Sequence, residues 1–284
     1  MTNLRNDSVD FFLGATTPAG FKGYFEPLRH EPGMQMYLIK SGPGCGKSTL
    51  MKRLAQAAEQ QGQPIEKIHC ASDPDSLDGV VFLQKHAAIL DATAPHVVEP
   101  DAPGADEIVV SLYHTIDAEK LAAHRDEVKA LFARNAALRG RAARYIASAG
   151  SLMLDSRRAE ALARGYHIIT CPCAMHPEDQ IDHLFIPALR LAFLTDNHWH
   201  PIHIPGVQAV RCTRFLDREN LAGFRARLRF NERAAAELLD QAVALMAQAK
   251  SCHDELETYY RASVDFEEVE RLTKETEKRI LSET

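Results

Sequence analysis

The stretch that most constrains this chain is "SGPGCGKSTLMKRL", residues 41–54, behind the apolar run "MQMYLI". Residues 34–40, "MQMYLIK", are short, apolar and edged by Gly and Pro, the pattern of a buried strand. The loop "SGPGCG" follows. "KSTLMKRLAQAAEQQG" then has helical spacing, with Leu50, Leu54 and Ala57 on one face and Gly62 as a stop. Strand, glycine loop and helix are the context in which G-x-x-x-x-G-K-[ST] cradles phosphate. Ser41 stands where the pattern has its first glycine; the remainder, "GPGCGKST", is kept.

Each residue type in that loop has a physical role. Gly42, Gly44 and Gly46 let the backbone approach phosphate oxygens and aim N–H groups at them, with Pro43 and Cys45 completing the loop. The helix N-terminus adds the positive end of its dipole. Lys47 is expected to bridge the β- and γ-phosphates, Ser48 to coordinate Mg2+, and Thr49 to support the cradle. "HAAILD", residues 86–91, is an apolar run ending in Asp91, the expected second magnesium partner. The pattern N-K-x-D, which selects guanine, is absent, so ATP is the expected nucleotide.

Further polar candidates surround this pair. "IEKIHCASDPDSLDGVVF" reads as a strand through Cys70, then an acidic loop with Asp73, Asp75 and Asp78, with Ser76 opening a helix. Asp73 is the best candidate there to position water or accept a proton, and His96 in "DATAPHVVEP" could meet a γ-phosphate. The catalytic set expected from sequence is therefore Lys47, Asp73, Asp91 and His96. Cys171, Cys173 and His176 in "CPCAMH", with His198, His200 and His203 in "HWHPIH", could hold a soft metal, although C-x-C is not the usual zinc knuckle. Cys45 could be a reactive thiol at a helix N-terminus. Arg157 and Arg158 could stabilise transferring phosphate, with solvated helix arginines as the plainer reading.

Bulk properties bound the rest. At 284 residues and about 150 per domain, one or two domains are expected. A net charge of −6 argues against a general nucleic-acid or membrane-surface binder. No run approaches a membrane span, the N-terminus lacks a signal-peptide core, and the six cysteines read as thiols, so the expected compartment is the cytoplasm.

An internal echo suggests how the domains divide. Cys70, Ala71 and Pro74 stand 103 positions before Cys173, Ala174 and Pro177; Asp78, Ala88, Leu90 and His96 stand 104 before Asp182, Ala192, Leu194 and His200. The first offset places Lys47 on Gly150 and Ser48 on Ser151, so a second copy would lack the phosphate lysine. The expectation is a cradle-bearing half with a helical insertion, residues 1–145, and a degenerate half with a long helical end, residues 146–284. Residues 117–149 and 217–284, rich in Ala, Leu, Glu and Arg, would be helical appendages able to engage a protein partner.

On "FFLGATTPAGF", "KSGPGCGKSTLMKRL", "HCASDPDSLDGV", "ILDATAPHVVEPDAPGADE" and "DHLFIPALRLAFLTD", the chain resembles a family of bacterial P-loop ATP-binding proteins, mainly from spore-forming Firmicutes. The resemblance spans nearly the whole chain. It implies an α/β P-loop NTPase-like fold, a mainly parallel sheet flanked by helices, with tandem halves and bound ATP. It also makes Thr16, Thr17 and Lys22 in the "TTPAGF" lead-in candidates to approach the nucleotide. The expected function is Mg-dependent ATP hydrolysis, with a small-molecule kinase or a nucleotide-gated binding module as alternatives.

Overall fold

The computed structural model describes residues 8–105, 107–151, 169–175, 177, 181–187, 190–196, 201–206 and 225–282. The chain divides into two compact units: Met1–Arg141 with Ala244–Thr284, and Ala142–Val243.

The first unit is built on a six-stranded sheet. In chain order its strands are β1 (Val9–Phe12), β4 (Gln35–Lys40), β5 (Ile65–Cys70), β6 (Asp73–Phe82), β7 (Ala87–Asp91) and β8 (Glu107–Ser111). The spatial order is β1-β5-β6-β7-β4-β8. Five strands run the same way and β6 alone runs opposite, because it joins β5 and β7 as a meander. The sheet is therefore mixed and mostly parallel. A separate hairpin, β2 (Gly14–Thr17) and β3 (Gly20–Gly23), precedes the short helix α1 (Glu26–Arg29).

Alternation along β4 separates two cores. Tyr37 and Ile39 face one way, onto Leu50, Met51 and Leu54 of helix α2 (Lys47–Gln60) and onto Val80, Phe82 and Ile89. Met36 and Leu38 face the other, onto Ile68, Val81, Leu90 and Phe25. Gly62, at φ +70°, ends the α2 segment in the left-handed conformation that glycine tolerates.

Among the described residues the remaining α-helices are α3 (Ala118–Ala122), the long helices α4 (Arg125–Ser151) and α5 (Arg225–Arg261), and α6 (Phe266–Leu281). Asp265 caps α6, its carboxylate accepting from the N–H groups of Glu267 and Glu268. Ile280 and Leu281 of α6 join the α2 core, and Arg53 of α2 donates to Glu270 at 2.9 Å. Among the described residues no helix is long and apolar enough to cross a membrane.

Two expectations change here. Residues 73–82 form a strand rather than an acidic loop leading into a helix. The run "LDGVVF" supplies a β-branched and aromatic face that is buried between β5 and β7. The expected duplication, with a degenerate second half, is also not evident: Ala149 and Gly150 lie inside α4, a continuous helix, where the echo required a turn between strand and helix. Alanine-rich sequence with no proline simply propagates the helix through that point.

The second unit holds a three-stranded antiparallel sheet, β9 (Ile169–Pro172), β10 (Ile181–Ile186) and β11 (Leu191–Leu194), in the order β11-β10-β9. What recurs is strand register. His183 pairs with Leu194 and with Cys171, as Gly79 pairs with Leu90 and with Ile68 in the first unit. These are the positions that the offsets of 103 and 104 equate.

Arg29 ties α1 to β8. Its Nε and Nη2 donate to Oε1 of the buried Glu107 at 3.0 and 2.8 Å, while Oε2 accepts from the N–H groups of Asp101 and Ala102. Burial alone would raise the Glu107 carboxyl, but these donors outweigh it and hold the group below its ordinary value. A depressed folded value stabilises the protein above the unfolded carboxyl value, about 4.3, and that contribution is lost as pH falls through the folded value. Glu107→Gln should cost about 1–3 kcal/mol at neutral pH and should flatten the acid limb of a stability–pH curve. Leu54→Ala, which empties the α2–sheet core, should lower stability by about 2–5 kcal/mol in urea unfolding at any pH between 6 and 8, taken as an approximate working range.

Candidate functional site

A cleft of about 1190 Å³ opens beside the C-terminal ends of β4, β5 and β7. Crevices at this end of a mostly parallel sheet are where such folds place ligands. Residues 41–46 form the loop from β4 into α2. Gly44 and Gly46 have φ of +68° and +87°, the left-handed region that side chains avoid. A Cβ on Gly42 would stand 2.2 Å from the Tyr260 ring, and one on Gly44 would stand 2.9 Å from the Glu257 carbonyl oxygen. The loop is thus compact against the end of α5 and has no room for side chains at these points.

Lys47 opens α2 with its Nζ folded back over the loop, donating to the Gly42 carbonyl at 2.7 Å. Asp91, at the end of β7, lies 3.7 Å from the same Nζ. The parallel pairing of β4 with β7 sets Ile39 opposite Asp91 and so brings the two together. Oδ1 of Asp91 accepts from both the N–H and the hydroxyl of Thr93, which leaves Oδ2 toward the lysine. Ser48 Oγ accepts from the Leu77 N–H at 2.9 Å and retains a second lone pair.

The other expected residues fall out unevenly. Asp73 lines the cleft, accepting from Ser76 Oγ at 3.0 Å and facing Lys250 Nζ at 3.4 Å. His96 lines it too, but is 7% exposed, with Nε2 3.2 Å from Asp78 Oδ1. Thr49 is exposed on the first turn of α2. Cys45 is buried, with Sγ 3.4 Å from the Pro43 carbonyl; burial pushes its thiol up, the reverse of an activated cysteine. Thr17 closes the β2–β3 turn on the Gly20 carbonyl, and Lys22 Nζ lies over the Tyr24 ring.

No family model, curated protein or solved structure matches this chain. The reading of the cleft therefore rests on its own chemistry.

Several expected residues, Arg157, Arg158, His176, His198 and His200, lie outside the described residues. Cys171 belongs to β9 and Cys173 follows it, buried. Burial, then Asp182, pushes the Cys171 thiol up.

The helices contribute residues that the motifs did not point to. Phe132, Asn135, Ala136 and Arg139 share one face of α4 and line the cleft, as do Lys250, His253, Asp254 and Glu257 on α5. Arg139 donates to Asn135 Oδ1 at 2.9 Å and to Ser72 Oγ at 3.1 Å. Burial lowers its affinity for a proton, opposed by Cys70 and Asp78 nearby. Burial, then Asp78, pushes the Cys70 thiol up to about 12. On α5 the sequence signal was the i, i+3, i+4, i+7 spacing of polar residues; on α4 only Asn135 and Arg139 are polar at that spacing.

If the loop needs its glycines for shape, Gly44→Ala should destabilise the protein by about 1–3 kcal/mol in chemical unfolding, and Tyr260→Ala should not rescue it. Gly42→Ala, whose conflict is with a side chain, should be relieved by Tyr260→Ala in a double-mutant cycle.

Proposed function

We propose that the chain binds Mg·ATP in the loop at residues 42–49 and hydrolyses it, on an α/β P-loop nucleotide-binding architecture. The observation that carries this reading is the meeting of a left-handed glycine loop, Lys47 and Asp91 at the head of one helix. The left-handed torsions at Gly44 and Gly46, just before the first turn of α2, are of the kind that lets successive N–H groups converge on an anion. Lys47, now on its own loop's carbonyl, has an alternative partner in the β- and γ-phosphate oxygens.

The residues fit magnesium. Ser48 Oγ has a lone pair to offer and Asp91 is held in one orientation by Thr93. The bound ion would neutralise charge on the phosphates. Lys47 and the loop amides stabilise the charge that grows on the γ-phosphoryl oxygens. Asp73 is placed to accept a hydrogen bond from the attacking water. His96, closed on Asp78, leaves that task to it. The water oxygen bonds to the γ-phosphorus, the bond to the β–γ bridging oxygen breaks, and ADP and inorganic phosphate leave with the water's proton released to solvent. Catalysis is positioning and electrostatics.

The cleft's size favours a second reading, phosphoryl transfer to an acceptor bound beside Arg139 and Lys250. A binding module with little turnover is the third. The full chain with Mg2+ and ATP should release ADP and phosphate in equal amounts. Lys47→Ala should lower kcat/KM by about 10²-fold or more with an unchanged far-ultraviolet spectrum. Hydrolysis that persists undiminished in Lys47→Ala overturns the assignment; acceptor-dependent ADP without phosphate selects the transferase; ATP binding without either product selects the module.

A further inference from the structure

We propose that Cys70, Asp78 and His96 form a site for one divalent cation of the zinc class, distinct from the magnesium position at Ser48 and Asp91. One donor atom from each residue lies within 4.8 Å of the other two. Asp78 and His96 are 4% and 7% exposed. Among the described residues this is the one group of three or more such side chains that converges.

Three separate segments build it. Cys70 ends β5, Asp78 sits within β6, and His96 closes the turn after β7, its N–H donating to the Thr93 carbonyl at 2.8 Å. The β5–β6 register shifts between Ile68 and His69 and again between His69 and Cys70. Such irregularities re-aim side chains, and they cluster beside functional sites. Phe21 and Phe25 pack edge-on against the His96 ring, with centroids 4.5 and 5.8 Å away, and fix its orientation.

The donor set decides the class of ion. A thiolate, an imidazole and a carboxylate suit zinc, cobalt or iron, whereas magnesium and calcium take oxygen alone. Zinc bond lengths place tetrahedral ligands about 3.3–3.8 Å apart, so closing the trio takes about 1 Å of side-chain movement. Three protein ligands leave a fourth position, and all three residues line the cleft that holds the glycine loop. A thiolate and a carboxylate neutralise the ion, and the neighbouring Arg139 then favours an anionic group at the open position. The same three residue types also stand in the sequence at Cys173, Asp182 and His200.

The test is cobalt titration of metal-free full-length protein. Wild type should show a thiolate-to-cobalt charge-transfer band with intense tetrahedral d–d bands, and so should the Cys171→Ser/Cys173→Ser variant. Cys70→Ser should lose the charge-transfer band, and Asp78→Asn and His96→Gln should weaken binding by at least about tenfold. Lys47→Ala should keep the spectrum, so the outcome is read independently of ATP binding. X-ray absorption of zinc-loaded wild type needs no variant: it should find one sulfur ligand among lighter ones. Absence of the charge-transfer band in wild type, two sulfurs at zinc, or a band that survives Cys70→Ser and disappears with Cys171 and Cys173 overturns the proposal.

Discussion

The backbone of residues 42–46 can turn from β4 into α2 in this space only because Gly44 and Gly46 accept left-handed torsions and Gly42 carries no side chain. That turn does three things at once. It starts α2 at the wall of the cleft, folds Lys47 across the loop, and lets Tyr260 and Glu257 close against it. The parallel pairing of β4 with β7 then delivers Asp91 to the same point. An inserted methyl group at Gly44 would disturb every one of these relations, because its neighbour is main chain and cannot swing aside.

The walls of the cleft come from far along the chain. One face of α4 brings Arg139, and one face of α5 brings Lys250 and Glu257. Asn135 donates to the Ala249 carbonyl at 2.7 Å and locks the two helices together at this level. His253 first, and then Arg261, hold the Glu257 carboxyl below its ordinary value, with Arg261 Nη2 2.8 Å from Glu257 Oε2. The outcome is a glycine loop lining a larger, charged cleft. A free triphosphate would leave much of that chamber unused, which is why the size of the cleft bears on the reaction.

The strand, glycine loop and helix at residues 35–60 were legible in sequence because their physics is local: a buried strand, glycines and a helix start are all set by adjacent residues. Strands 35–40 and 65–70 and the helix from Lys47 were readable for the same reason. The strand at 73–82 was not. Its first half is acidic and holds Pro74, which mimics a turn, and only pairing with β5 and β7 makes it extended. The duplication expected from the internal echo is not evident. Its offsets match strand register in the two meanders, while the supposed second cradle is helix, since small residues fit a turn and a helix equally well. Arg139 reaches Ser72 across a separation of 67 positions, and the Cys70–Asp78–His96 cluster joins three separate segments, contacts that no local pattern encodes.

A crystal structure of the full chain grown with ATP and magnesium is the most direct test of the central claim. The account predicts a triphosphate seated on the amides of residues 44–49, with Lys47 Nζ moved from the Gly42 carbonyl onto the phosphates and the metal between Ser48 and Asp91. A loop that stays closed on its own lysine, with nucleotide absent or bound elsewhere at saturating concentration, would contradict it.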